Sequence, residues 1–136
     1  MTVAFEATFP SSPSGVGAMR REVAAFAQRA GMDDEGLGSV RLAVSEAATN
    51  AVVHAYREES GDGDLRVRAF VDARELVVVV SDAGIGLAPR PDSPGLGLGM
   101  PLMASVTRRF QVISEGKGTE VHMTFALPAD GPPTLL

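Results

Sequence analysis

The 136-residue chain contains no cysteine and no tryptophan, and only one tyrosine and two histidines. Without cysteine it has no disulfide, no thiolate metal site and no thiol nucleophile. With so few aromatic rings it lacks the stacking platforms on which single-stranded nucleic acids are held. Twelve Lys and Arg against seventeen Asp and Glu give a net charge of -5. The chain as a whole therefore does not attract a polyanion, and direct binding of nucleic acid or of an anionic membrane is not expected. No stretch approaches the roughly eighteen apolar residues of a membrane span, and Met1 to Pro10 lacks the basic then apolar order of a secretory signal. A cytoplasmic location is the expectation.

What is present is a 45% hydrophobic content at a length common for one core, so a single domain over residues 1–136 is expected. Thr2 to Phe9 alternates apolar with more polar residues and predicts a strand ended by Pro10, with Ser11 to Gly17 as a loop. Met19, Val23, Phe26, Ala27 and Ala30 recur at helical spacing between Ala18 and Ala30, where Gly31 supplies a stop. This helix either packs on a sheet or presents its apolar face to a partner. A longer helix capped by Asp33 or Asp34 carries Leu37, Val40, Val44, Ala47, Ala48, Ala51 and Val52, with Gly36 and Gly38 weakening its first turns.

Leu65 to Val71 and Glu75 to Ser81 read as two strands joined at hairpin spacing by Asp72, Ala73 and Arg74, hence antiparallel. The run Leu76 to Val80 is apolar on both faces, which places it in the middle of a covered sheet. A segment rich in Gly and Pro, Asp82 to Gly99, leads to a helical stretch from Met100 to about Thr107. Strands Phe110 to Ser114 and Glu120 to Leu127 then flank a turn, and Pro128 to Leu136 reads as a frayed tail. The order predicts an α+β fold: a two-layer α/β sandwich, its sheet mixed and mostly antiparallel, with the helices on one face.

Three constellations carry chemistry. Glu46, Asn50 and His54 stand four residues apart on the long helix, so they share one stripe of its surface. A carboxylate and an amide oxygen stacked in this way suit a hard cation such as Mg, or a carboxylate that orients an attacking hydroxyl; the same spacing also describes an ordinary solvated stripe. Asp82-Ala83-Gly84-Ile85-Gly86 follows the apolar strand; its carboxylate can accept from an exocyclic amine while its glycines admit a planar base, or it is simply a tight turn. Gly95-Leu96-Gly97-Leu98-Gly99 runs into a helix start, where bare amides suit phosphate, or it is a flexible loop. Neither a Walker sequence nor the Rossmann Gly spacing is present.

Taken together and in this order, the three motifs resemble the ATPase superfamily shared by gyrase B, Hsp90 chaperones, histidine kinases and MutL, whose domain is the Bergerat ATP-binding fold. Glu46 to Asn50 is similar to its N box, Asp82 to Gly86 to its first glycine box, Gly95 to Gly99 to its second, and Gly118-Thr119 to its closing Gly-Thr. The wording of Glu46 to Tyr56 looks most like the anti-sigma-factor serine kinases, and the resemblance covers about residues 10 to 127.

The resemblance implies ATP and Mg as cofactors, with Glu46 as general base and Asn50 as the Mg ligand. It implies Asp82 as acceptor for the adenine amine, Gly84 and Gly86 as walls of the pocket, Gly95, Gly97 and Gly99 around the phosphates, and Thr119 beside Asp82. His54 receives no chemical role. Implied as partners are a sigma factor and an anti-anti-sigma antagonist protein, the latter phosphorylated on serine. A homodimer through the first strand and helix is also implied, with basic residues such as Arg20 meeting the antagonist. The chain departs from the family in the short segment Leu87 to Pro94 between its glycine boxes, where Arg90 is the one cation. That departure keeps an alternative in view: a nucleotide-dependent sigma-factor or partner-binding module without kinase activity.

Overall fold

The computed structural model describes residues 4–57, 64–82, 102–115 and 118–128. Within them run β1 (Ala4–Pro10), α1 (Pro13–Arg29), α2 (Asp34–Arg57), β2 (Asp64–Asp72), β3 (Glu75–Asp82), β4 (Arg109–Glu115) and β5 (Gly118–Ala126). A short helical segment at residues 102–106 precedes β4.

The sheet order is β1-β2-β3-β5-β4, so the doubly apolar strand β3 is central, as its composition predicts. Every pairing is antiparallel, which resolves the expected mixed sheet into a simpler one. Register puts Ala69, Val78 and Met123 in one row, and Val67, Val80 and Val121 in the next. These six side chains are all buried on the same face. Onto that face pack Met19, Val23, Phe26 and Ala27 of α1, and Leu37, Val40, Val44, Ala47, Ala48 and Ala51 of α2. The apolar stripe of α1 is therefore core, and the two helices form the single layer that the strand and helix order implies.

Helix α1 starts five residues earlier than its apolar spacing predicts. Pro13 opens the helix, where an N-terminal amide would have no partner anyway, and the Ser12 hydroxyl accepts from the Gly15 amide at 3.2 Å. Polar composition hid a capped first turn. At its other end Gly31 takes φ 102, while its amide bonds the Gln28 carbonyl and the Met32 amide bonds the Ala27 carbonyl, each at 3.0 Å. This paired closure needs a positive φ, which glycine adopts without a Cβ penalty. Asp33 caps α2 by accepting from the Gly36 amide at 2.8 Å, so the glycines of the first turn do not prevent the helix.

β1 is tied to α1 by aromatic packing. Phe5 stacks on Phe26 with ring centroids 5.9 Å apart, and the Arg29 guanidinium lies 5.9 Å from the centroid of the Phe26 ring. Among the described residues no helix is long and apolar enough to cross a membrane.

Candidate nucleotide site

Burying a polar side chain is costly unless it is satisfied, so a folded chain keeps few of them in its interior. Among the described residues four polar or charged side chains are buried: Asn50 at 8% exposure, Asp82 at 4%, Thr119 at 1% and Thr124 at 8%. Three of the four are residues singled out in the sequence. Asp82 and Thr119 are direct register partners across β3 and β5. Each continues the alternation of a buried row, Asp82 after Val78 and Val80, Thr119 before Val121 and Met123, so both point toward the helix layer.

Asn50 comes from that layer. It lies one turn and less beyond Ala47 on α2, at the margin of the stripe formed by Ala43, Ala47 and Ala51, and α2 packs against both β3 and β5. The fold thus brings a buried amide from the helix and a buried carboxylate and hydroxyl from two neighbouring strand ends to the same interface between layers. Glu46, one turn before Asn50, is only half-buried. Its carboxylate therefore keeps contact with solvent, which an exchange of protons with an incoming group requires. The solvated-stripe reading fails at Asn50 and holds in part at Glu46.

A neighbour that the sequence motifs do not mark is Ser45. Its hydroxyl accepts from Arg20 Nη1 at 3.4 Å, a bond that spans α1 and α2 and sets the Arg20 guanidinium beside the residue preceding Glu46. Only tertiary packing reveals it, because 25 positions separate the two. Gly84, Gly86, Gly95, Gly97 and Gly99, together with Leu87 to Pro94, lie outside the described residues. Among the described residues no group of three or more His, Asp or Glu is gathered for a metal.

The sequence matches the histidine kinase-like ATPase domain over residues 9–125. The chain belongs to that family. It is 38% identical over 125 residues to an anti-sigma F factor of Clostridium acetobutylicum, covering 82% of this chain and 86% of the relative. It is 32% identical over 136 residues to an anti-sigma F factor of Pasteuria penetrans, with 91% of each chain covered. A serine-protein kinase RsbW of Bacillus pumilus is 40% identical over 80 residues, covering 58% of this chain and 49% of that one. Among solved structures, the RsbU and RsbW domains of a Mycobacterium tuberculosis protein superpose with a TM-score of 0.73 at 18% identity. That likeness covers 92% of this chain and 32% of the other, and it bears on the fold alone. Placement among the anti-sigma-factor serine kinases of this family rests on the sequence relatives.

Proposed function

We propose that the chain is an ATP-binding anti-sigma factor that phosphorylates a serine of an anti-anti-sigma antagonist protein. The observation that carries this reading is the buried trio Asn50, Asp82 and Thr119 at one interface between layers, each from a motif that resembles one of the family's nucleotide-binding boxes. In this reading Asp82 accepts from the adenine amine, and burial favours that bond by removing competing water. Thr119 lies under the base, Gly84 and Gly86 shape the pocket, and Gly95, Gly97 and Gly99 line the phosphates.

Asn50 holds Mg through its amide oxygen, and the ion's chemistry is to neutralise charge on the phosphate oxygens. Glu46 accepts the proton of the substrate serine as its oxygen bonds to the γ-phosphorus and the bond to the ADP oxygen breaks. Arg20, tied to Ser45 next to Glu46, meets the antagonist protein at the rim of the site. The partners are a sigma factor and its antagonist, and the functional unit is a homodimer joined through β1 and α1.

The binding-only alternative is not favoured, because a relative 40% identical over 80 residues is a serine-protein kinase. Incubation with γ-labelled ATP and candidate antagonists encoded by neighbouring genes tests the proposal. Label on an antagonist serine supports a kinase; sigma-factor capture without any transfer of label supports the binding-only alternative.

A further inference from the structure

The end of the sheet remote from Asp82 sets two arginines against one carboxylate, with a third arginine in the adjoining turn. Arg108 Nη1 lies 3.2 Å from Glu75 Oε2, and Arg109 Nη2 bonds Glu75 Oε1. Glu75 is 16% exposed, whereas the two arginine side chains are 56% and 63% exposed. A carboxylate commonly serves one guanidinium through both oxygens. Here its oxygens are divided between two guanidiniums of five donors each, so one negative charge faces two positive ones. Across the β2–β3 turn, Asp72 pairs with Glu75 in register and Arg74 adds a third base. Three arginines thus stand against the two carboxylates Asp72 and Glu75, a local excess of positive charge in a chain whose net charge is -5.

The turn itself is built against local preference. Ala73 and Arg74 have φ 50 and 65, a pair of values that two-residue hairpins usually meet with Asn-Gly. The Arg74 carbonyl accepts from the Leu127 amide at 3.0 Å, which fixes the turn against the end of β5. Strain kept at a surface turn points to a side chain required there. On the sheet face away from the helices, the register row Phe70, Val77, Thr124 and Arg109 carries two half-buried apolar side chains and, beyond Thr124, the exposed Arg109.

We infer that this end of the sheet docks a carboxylate-bearing segment of a partner protein. A second carboxylate completes the paired forks that Glu75 alone leaves half-filled, and the apolar row suits peptide side chains better than a bare phosphate. The surface is independent of the nucleotide reading: Asp82 lies seven positions along β3 from Glu75, roughly 23 Å at strand rise.

The test uses the full chain and fluorescein-labelled hexaglutamate, with hexaglutamine as control, read by fluorescence anisotropy. Hexaglutamate is expected to bind, to weaken as salt rises from about 50 to about 300 mM, and to lose about tenfold in affinity in the R108E/R109E variant. Glu75→Gln, which removes the negative charge that both guanidiniums face, is expected to bind it several-fold more tightly. Nucleotide affinity stays unchanged in both. Equal binding of hexaglutamine, unchanged affinity in R108E/R109E, or no gain in Glu75→Gln overturns the inference. So does stronger competition by pyrophosphate than by unlabelled hexaglutamate, which assigns the site to phosphate. If R108E/R109E does not fold, Glu75→Gln decides alone.

Discussion

Two glycines inside helices are expected to respond to the same substitution with opposite signs. A Cβ built on Gly15 falls 1.8 Å from the Pro10 carbonyl oxygen, a backbone atom that also accepts from the Ser12 amide at 2.9 Å. Gly15→Ala therefore has to push the start of α1 away from the end of β1 by roughly 1.5 Å to reach ordinary contact. Overpacking of that kind costs about 1–3 kcal/mol, and disturbing the Ser12 bond costs about 1 kcal/mol more. The better helix propensity of alanine returns about 1 kcal/mol, so the net loss is about 1–3 kcal/mol. Around Gly38, exposed on α2, a Cβ meets nothing within 4 Å. There only propensity acts, and Gly38→Ala is expected to gain about 0.5–1 kcal/mol. Urea unfolding followed by far-ultraviolet circular dichroism gives both values. A Gly15→Ala protein as stable as the parent would refute the junction between β1 and α1 described above, and a destabilised Gly38→Ala would refute the exposure of that face.

Three further outcomes are expected. Asp82→Asn weakens binding of ATP more than of GTP in calorimetric titration, since guanine carries a carbonyl where adenine carries its amine; equal losses argue against adenine recognition at Asp82. Replacing the turn by Ala73→Asn with Arg74→Gly puts two residues that tolerate positive φ where two that disfavour it stand and raises stability by about 1–2 kcal/mol, and an unchanged urea midpoint contradicts the strain assigned to that turn. Arg20→Ala lowers antagonist affinity and spares ATP, while sedimentation of the parent chain at tens of micromolar, a range chosen to catch weak association, gives a dimer; a monomer, or unchanged antagonist affinity, removes the corresponding proposal.

The sheet was legible in the sequence because its strands alternate or run apolar over five or more residues, and Asp72-Ala73-Arg74 leaves room for nothing but a hairpin. The beginning of α1 was not, since Ser11 to Gly17 has a loop's composition and becomes helical only through the Ser12 cap and Pro13. Strand order was also hidden: β5 lies between β3 and β4 because its row Val121, Met123 and Phe125 is needed under α2, and spacing along the chain cannot express that. At the site, four-residue spacing put Glu46 and Asn50 on one stripe but could not say that Asn50 is buried and Glu46 is not. The pairing of Asp82 with Thr119 joins positions 37 residues apart, and the bond from Arg20 to Ser45 joins two helices; both exist only once the layers are assembled.

The central claim is that Glu46 removes the proton from a substrate serine at a nucleotide held by Asn50 and Asp82. Its most direct test is Glu46→Gln, with ATP affinity and transfer of γ-label to the antagonist measured on the same preparation. The amide keeps the size and polarity of the side chain but cannot take the proton. The expected result is ATP affinity equal to that of the parent with transfer of label abolished. Transfer at the parent rate, with ATP bound equally well, would contradict it.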